Sequence, residues 1–360
     1  MRSVTVLMLC GCLALALAGC KDNTGPWQLP APVFAPVPVA NGSFDPPLTV
    51  TITCAEPGAE IRYTTDGSQP TQASLLYTVP LQLYYDTGLK ARAYKDNSDP
   101  SPVASASYLL NPFLGELILI EGGSYDNGRG LVTLDSFYLD KFEMTQAGYA
   151  ALMGDNPSFF SGVTNGPVDR VSWNHAIAYC NRRSLAESLT PCYSYGIFGS
   201  DPDNWPPGWD NDPLNHKEIS CAWTANGYRL PTSAEWEFAA RGGNLAQGFI
   251  YSGSNNINQV AWYMGNAGQT THSVSSLSPN GLGLFHLSGN LFEWCWDIHE
   301  PELPHGPQLN PHGPDEGESR TRRGGAWDSP PEYCMISHRF ANAATYAGYE
   351  AGFRVCRRAP

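Results

Sequence analysis

The sequence predicts a loop-rich α+β domain preceded by a small all-β sandwich. Three observations carry this. Between residues 39 and 110, short segments alternate apolar and polar residues and are separated by turn signals. Between 116 and 360, isolated helix starts and short apolar runs are scattered among long Gly/Pro-rich stretches. Charged residues make up only 15% of the chain against 36 Gly, 30 Pro, 10 Trp and 18 Tyr, a balance that suits an aromatic-cored, loop-rich extracytoplasmic fold.

The N-terminus reads as a processing segment, 1–19: Met1-Arg2, an apolar run from Val4 to Ala18, then Leu17-Ala18-Gly19-Cys20. The run is shorter than the roughly 20 residues that span a bilayer. Small residues ahead of Cys20 follow a bacterial lipobox, so Cys20 is expected to be acylated and to anchor the mature chain to a membrane. Simple secretion after cleavage is the alternative. Lys21, not an acidic residue, follows, which favours the outer membrane within the cell envelope. Residues 20–38 carry Pro26, Pro30, Pro32, Pro36 and Pro38 and read as an extended tether.

In 39–110, Leu48, Val50 and Ile52 alternate with threonines, and Ile61 and Tyr63, Leu81 and Leu83, then Leu89, Ala91 and Ala93 continue the period. Asp66-Gly67 supplies a tight turn. In 116–360, Leu117–Ile120 and Phe137 onward read as strands. Thr145 is placed to cap a helix reaching Met153. A longer helix starts near Ser172 with Ala176, Ile177, Cys180 and Leu185 inward. Thr232 and Glu235 have capping-box spacing ahead of Trp236. Cys192 and Cys221 bound a Pro/Trp/Asp-rich excursion that a disulfide between them would close, at about 3 kcal/mol in the chain-entropy description. Its segment Asn204-Trp205-Pro206-Pro207-Gly208-Trp209 offers two tryptophans either for ligand stacking or for covering the core.

Tyr63-Thr64-Thr65-Asp66-Gly67-Ser68-Gln69-Pro70-Thr71, with Leu89 to Tyr94 and Tyr108, resembles the immunoglobulin-like domain found at the C-terminus of chitobiases and hexosaminidases. The larger region carries an ordered motif series: Leu119 to Ser124, Phe142-Glu143-Met144-Thr145, Pro167 to Trp173, Tyr228 to Glu237, Gly289-Asn290-Leu291-Phe292-Glu293-Trp294, Arg323 to Trp327 and Gly352 to Val355. This series resembles the formylglycine-generating enzyme, or sulfatase-modifying factor, family. The resemblance implies a C-type-lectin-like α+β fold. It also implies oxidation of a sulfatase cysteine by oxygen and Cu(I), which two thiolates hold.

Here Cys334 matches the second of those cysteines and Ser329 stands at the first. A protonated alcohol does not replace a thiolate for Cu(I). The resemblance further implies calcium at Gly289, Leu291 and Glu293, where His286 replaces an oxygen ligand. It puts Cys180 and Cys356 near a family disulfide, while Ala240 and Arg339 stand where some members have another. Two functions follow. One is a degenerate member serving as a binding module for a glycan or protein, with Trp205, Trp209 and Trp327 as candidate contacts. The other is a copper-dependent oxidase acting on a sulfatase peptide. A net charge of −13 disfavours nucleic acid as a partner.

Overall fold

The computed structural model describes residues 27–39, 44, 48–83, 86–110 and 115–360. It divides into a unit ending at Leu110 and a unit from Asn111 to Pro360. The 1–19 segment and Cys20 lie outside the described residues.

The first unit has two antiparallel sheets. One orders Val33–Ala35, Leu48–Thr53 and Leu81–Leu83; the other orders Leu75–Leu76, Glu60–Thr64, Thr87–Tyr94 and Ala104–Tyr108. Phe34, Val50 and Ile52 face Ile61, Leu89, Ala91 and Tyr108 in one core, as the period-2 pattern requires. Gly67 sits at φ 79°, and the Asp66 carboxylate accepts from the Ser68 N–H, closing the expected turn. The tether reading of 20–38 needs one correction. Val33–Ala35 pairs with Thr51–Thr53 because Phe34 supplies an apolar side chain to the core, so the sandwich begins earlier than residue 39.

The second unit is built on two four-stranded sheets. The first orders Tyr228–Arg229, Cys356–Arg358, Phe137–Asp140 and Leu117–Ile120; the second orders Phe340–Asn342, Arg320–Arg323, Phe292–Ile298 and Ala351–Gly352. The loop 300–319 is tied down where Gln308–Leu309 adds to the sheet of Gly123–Asp126 and Leu131–Leu134. Helix Gln146–Met153 is capped by the Thr145 hydroxyl and helix Trp173–Ala186 by that of Ser172. Helix Ser233–Arg241 starts with the full reciprocal capping box of Thr232 and Glu235. Leu185 is exposed, not inward. It falls five residues after Cys180, off the 3–4 spacing of the buried stripe, and Arg183 and Ser184 are buried instead.

Long buried side chains hold the loops together. Arg183 pairs with Asp140, Arg229 with Glu235, Arg322 with Glu350, Arg323 with Glu237 and Arg354 with Glu293. Each guanidinium also reaches one or more carbonyls or ring faces, although the Arg322 Nε–H has no acceptor.

The expected Cys192–Cys221 disulfide is not formed. All seven described cysteines are free thiols. The excursion is closed instead by pairing of Tyr193–Tyr195 with Ile219–Cys221, extended by the Ala222 N–H to the Cys192 carbonyl. That register puts Tyr193, not Cys192, opposite Cys221. Cys180 and Cys356 are likewise buried free thiols, and burial pushes both well up.

Candidate functional site

After strand Arg320–Arg323, Ser329 closes a tight turn that begins at Ala326, and Cys334 ends the short 3-10 helix Pro331–Cys334 that follows. Ser329 is buried. Its hydroxyl accepts from the Ala326 N–H at 2.9 Å, and its N–H donates to the Ala326 carbonyl at 3.0 Å. The hydroxyl is thus part of the turn. Cys334 is fully buried against Tyr251 and Val260, and burial followed by the nearby Asp328 and Glu332 charges pushes its thiol up to about 12. Burial thus disfavours a free thiolate at Cys334. Gly325, at φ 73°, lets this turn close: a Cβ there would lie 2.7 Å from the Cys334 sulfur. The residues present do not fit copper, since a single buried thiol, Cys334, is present where two are needed and the Ser329 hydroxyl is already engaged with backbone.

The loop running from His286 to Glu293 lies beside this turn. Gly289 has φ 75°, and a Cβ would meet the Trp262 carbonyl at 2.3 Å. Asn290 tolerates its own φ of 65° and donates to Glu143 at 2.6 Å, while the Leu291 N–H donates to the other Glu143 oxygen at 3.0 Å. Burial, then the neighbouring Glu293 charge, pushes the Glu143 carboxyl up.

At the positions expected to hold calcium, the carboxylate is already engaged. Glu293 gives its oxygens to Arg354 at 2.6 and 2.7 Å and to the Trp236 indole N–H at 2.7 Å. That leaves no free carboxylate for a cation. His286 is buried, its Nδ1 has no partner, and burial together with Arg354 holds its imidazole down to about 3. His286 thus supplies no oxygen, and of the expected oxygen donors only the Gly289 and Leu291 carbonyls are not bound to a guanidinium. Among the described residues, no group of three or more His, Cys, Asp or Glu is arranged to hold a metal.

The three tryptophans separate. Trp205 is 5% exposed, donates its indole N–H to the Gly199 carbonyl and packs edge-on to Trp209 at 4.5 Å. It is a core residue, and the binding expectation for it is corrected; Trp209 is half-buried against the same core. Trp327 differs. It is half-buried, donates to the Tyr349 carbonyl, and lies edge-on to Phe160 at 5.2 Å. Phe159 (60% exposed) and Tyr349 (51% exposed) complete an aromatic surface at 4.8 Å separation, with the Arg170 guanidinium over the Tyr349 ring. Sequence reasoning, which pointed to the segment 327–349 for recognition, missed Phe159 and Phe160, which lie almost 200 residues from Tyr349 and share no local pattern with it. It also gave Glu143 no role, although the Phe142 to Thr145 motif contains it.

Comparison with known proteins matches residues 111–359 to the family described as "Sulfatase-modifying factor enzyme 1-like domain" and residues 50–108 to "Fn3 associated". A "Chaperone protein LppX" of Paenibacillus barcinonensis is 40% identical over 67% of this chain and 89% of its own. A "Formylglycine-generating enzyme" of Streptomyces coelicolor is 33% identical over 39% of this chain and 52% of its own, so the match spans about half of that enzyme. Among solved structures, "Treponema denticola variable protein 1" superimposes with TM-score 0.61 at 30% identity, over 72% of this chain and 96% of that one. CarF gives 0.53 at 26% identity, over 68% and 99%.

Proposed function

We propose, from the premise that this chain belongs to the sulfatase-modifying factor family, that it is an envelope lipoprotein whose family domain binds a protein ligand and does not oxidise cysteine. One observation carries the reading: the Ser329 hydroxyl, at the position where a copper-holding thiolate is expected, is committed to the Ala326 N–H. Likeness to a relative named a chaperone, over most of both chains, favours a polypeptide over a glycan as the ligand. The aromatic surface of Phe159, Trp327 and Tyr349 beside the turn offers rigid apolar contact area for unfolded or extended chain. The anchor at Cys20 would hold this activity at a membrane face, where the outer membrane is the favoured location.

Two measurements test the reading. The mature chain, with Cys20 replaced, is incubated with Cu(I), oxygen and a Cys-x-Pro-x-Arg peptide. The peptide mass is expected not to change, and copper retention is expected only after Ser329→Cys. Conversion that disappears in Cys334→Ala would overturn the proposal in favour of the oxidase. In parallel, dilution of a chemically unfolded reporter enzyme into the chain is expected to give less aggregation, with the effect reduced in Phe159→Ala/Tyr349→Ala.

A further inference from the structure

Six arginines of the second unit are almost fully buried, and five have a carboxylate within ion-pair distance. Arg320 is the sixth. It is 2% exposed, and its guanidinium carbon lies 3.8 Å from the Trp173 ring centre and 4.9 Å from that of Trp296. It donates only to neutral acceptors, the carbonyls of Trp296 and His216, and its Nε–H has none. Burying a cation with no counter-ion is costly, and ring faces and carbonyls offset that only in part. Accordingly, burial pulls Arg320 down to about 9.

Arg320 lines a cavity of about 220 Å³ together with Lys217, Ser220, His216, Trp296 and Asp315. His216 is itself fully buried and its Nε2 has no partner. The unanswered Nε–H of Arg320 and its unpaired charge thus line one space, into which Lys217 brings a second positive charge; His216, whose Nδ1–H donates to the Pro213 carbonyl, offers Nε2 there only as an acceptor.

We propose that this cavity is a binding site for a small monoanionic carboxylate, which supplies the counter-ion that Arg320 lacks. The planar guanidinium matches a carboxylate, and Ser220 and Lys217 offer further donors at its edge. Monoanions are favoured over dianions because Asp315 stands on the same rim and makes no ion pair of its own. His216 adds no charge, since burial and Arg320 lower its pKa and keep it neutral. The inference is independent of Ser329 and Cys334, none of which lines this cavity.

The test titrates the purified mature chain with acetate, its neutral isostere acetamide, and phosphate, at ionic strength held constant with chloride. Tryptophan emission, which Trp296 at the cavity wall should report, and the thermal midpoint are both followed. Saturable binding of acetate in the millimolar range, none of acetamide and weaker binding of phosphate are expected. Lys217→Glu, at an exposed position that does not disturb the core, should weaken acetate binding by roughly tenfold or more, and Arg320→Met should abolish it. If Arg320→Met does not fold, the Lys217→Glu comparison and the acetate–acetamide contrast still decide. Equal responses to acetate and acetamide, or acetate binding unchanged in Lys217→Glu, would overturn the proposal.

Discussion

Replacing Glu293 by Gln tests how the loop from His286 to Glu293 is held. The substitution keeps shape and one acceptor but removes the charge that faces Arg354, in a pair whose side chains are both 0% exposed. Arg354 would retain only the carbonyls of Asp140, Lys141 and Phe285. Removing one partner of a buried pair strands the other, at about 3–5 kcal/mol. For a domain of this size each kcal/mol moves the midpoint by about 2–4 °C, so the thermal midpoint should fall by roughly 10 °C. Calorimetry and urea denaturation, each with calcium and with a chelator, measure it. The loss should be the same in both, because the carboxylate serves a guanidinium and not a cation. A loss below about 1 kcal/mol, or one seen in calcium and absent in chelator, would refute the reasoning.

Trp205→Ala should destabilise the second unit by about 3–5 kcal/mol, as judged by urea midpoint, whereas Trp327→Ala should cost far less and act on ligand binding. Asp297, buried and accepting from the Ser233 N–H at 2.7 Å, has its carboxyl pushed up to about 6 by burial. With its folded pKa above the ordinary value of 3.8, its contribution is complete below that value and is lost as pH rises through about 6. Asp297→Asn should therefore gain stability relative to the parent at pH above the folded pKa and lose that advantage in acid; an unchanged difference across denaturation curves in this window would contradict the assignment.

What the sequence revealed divides by range. The caps at Thr145, Ser172 and Thr232 were legible because a cap is set by residues three apart. The sandwich strands were legible from period-2 alternation. The order of motifs identified the second domain, and the missing thiol at Ser329 was visible directly. The engagement of Glu293 by Arg354, 61 residues on, and the solitary Arg320 depend on distant partners or on burial, which no local pattern encodes. Trp205 was ambiguous for the same reason, since a Pro/Trp-rich loop reads alike whether its rings face solvent or core.

The strand Cys356–Arg358 lies inside its sheet, hydrogen-bonded to Phe137–Asp140 on one side and Tyr228–Arg229 on the other. A chain synthesised from its N-terminal end therefore delivers both neighbours long before the piece that joins them. Until it arrives, each has an open edge able to pair with other strands, including those of a second copy. Completion waits on contacts across more than 200 residues, the kind that form slowly because loop closure precedes any gain. The protein is thus exposed to misassembly throughout its emergence, and even a short deletion reaching into residues 356–358 would remove the centre of a sheet and not merely a frayed tail.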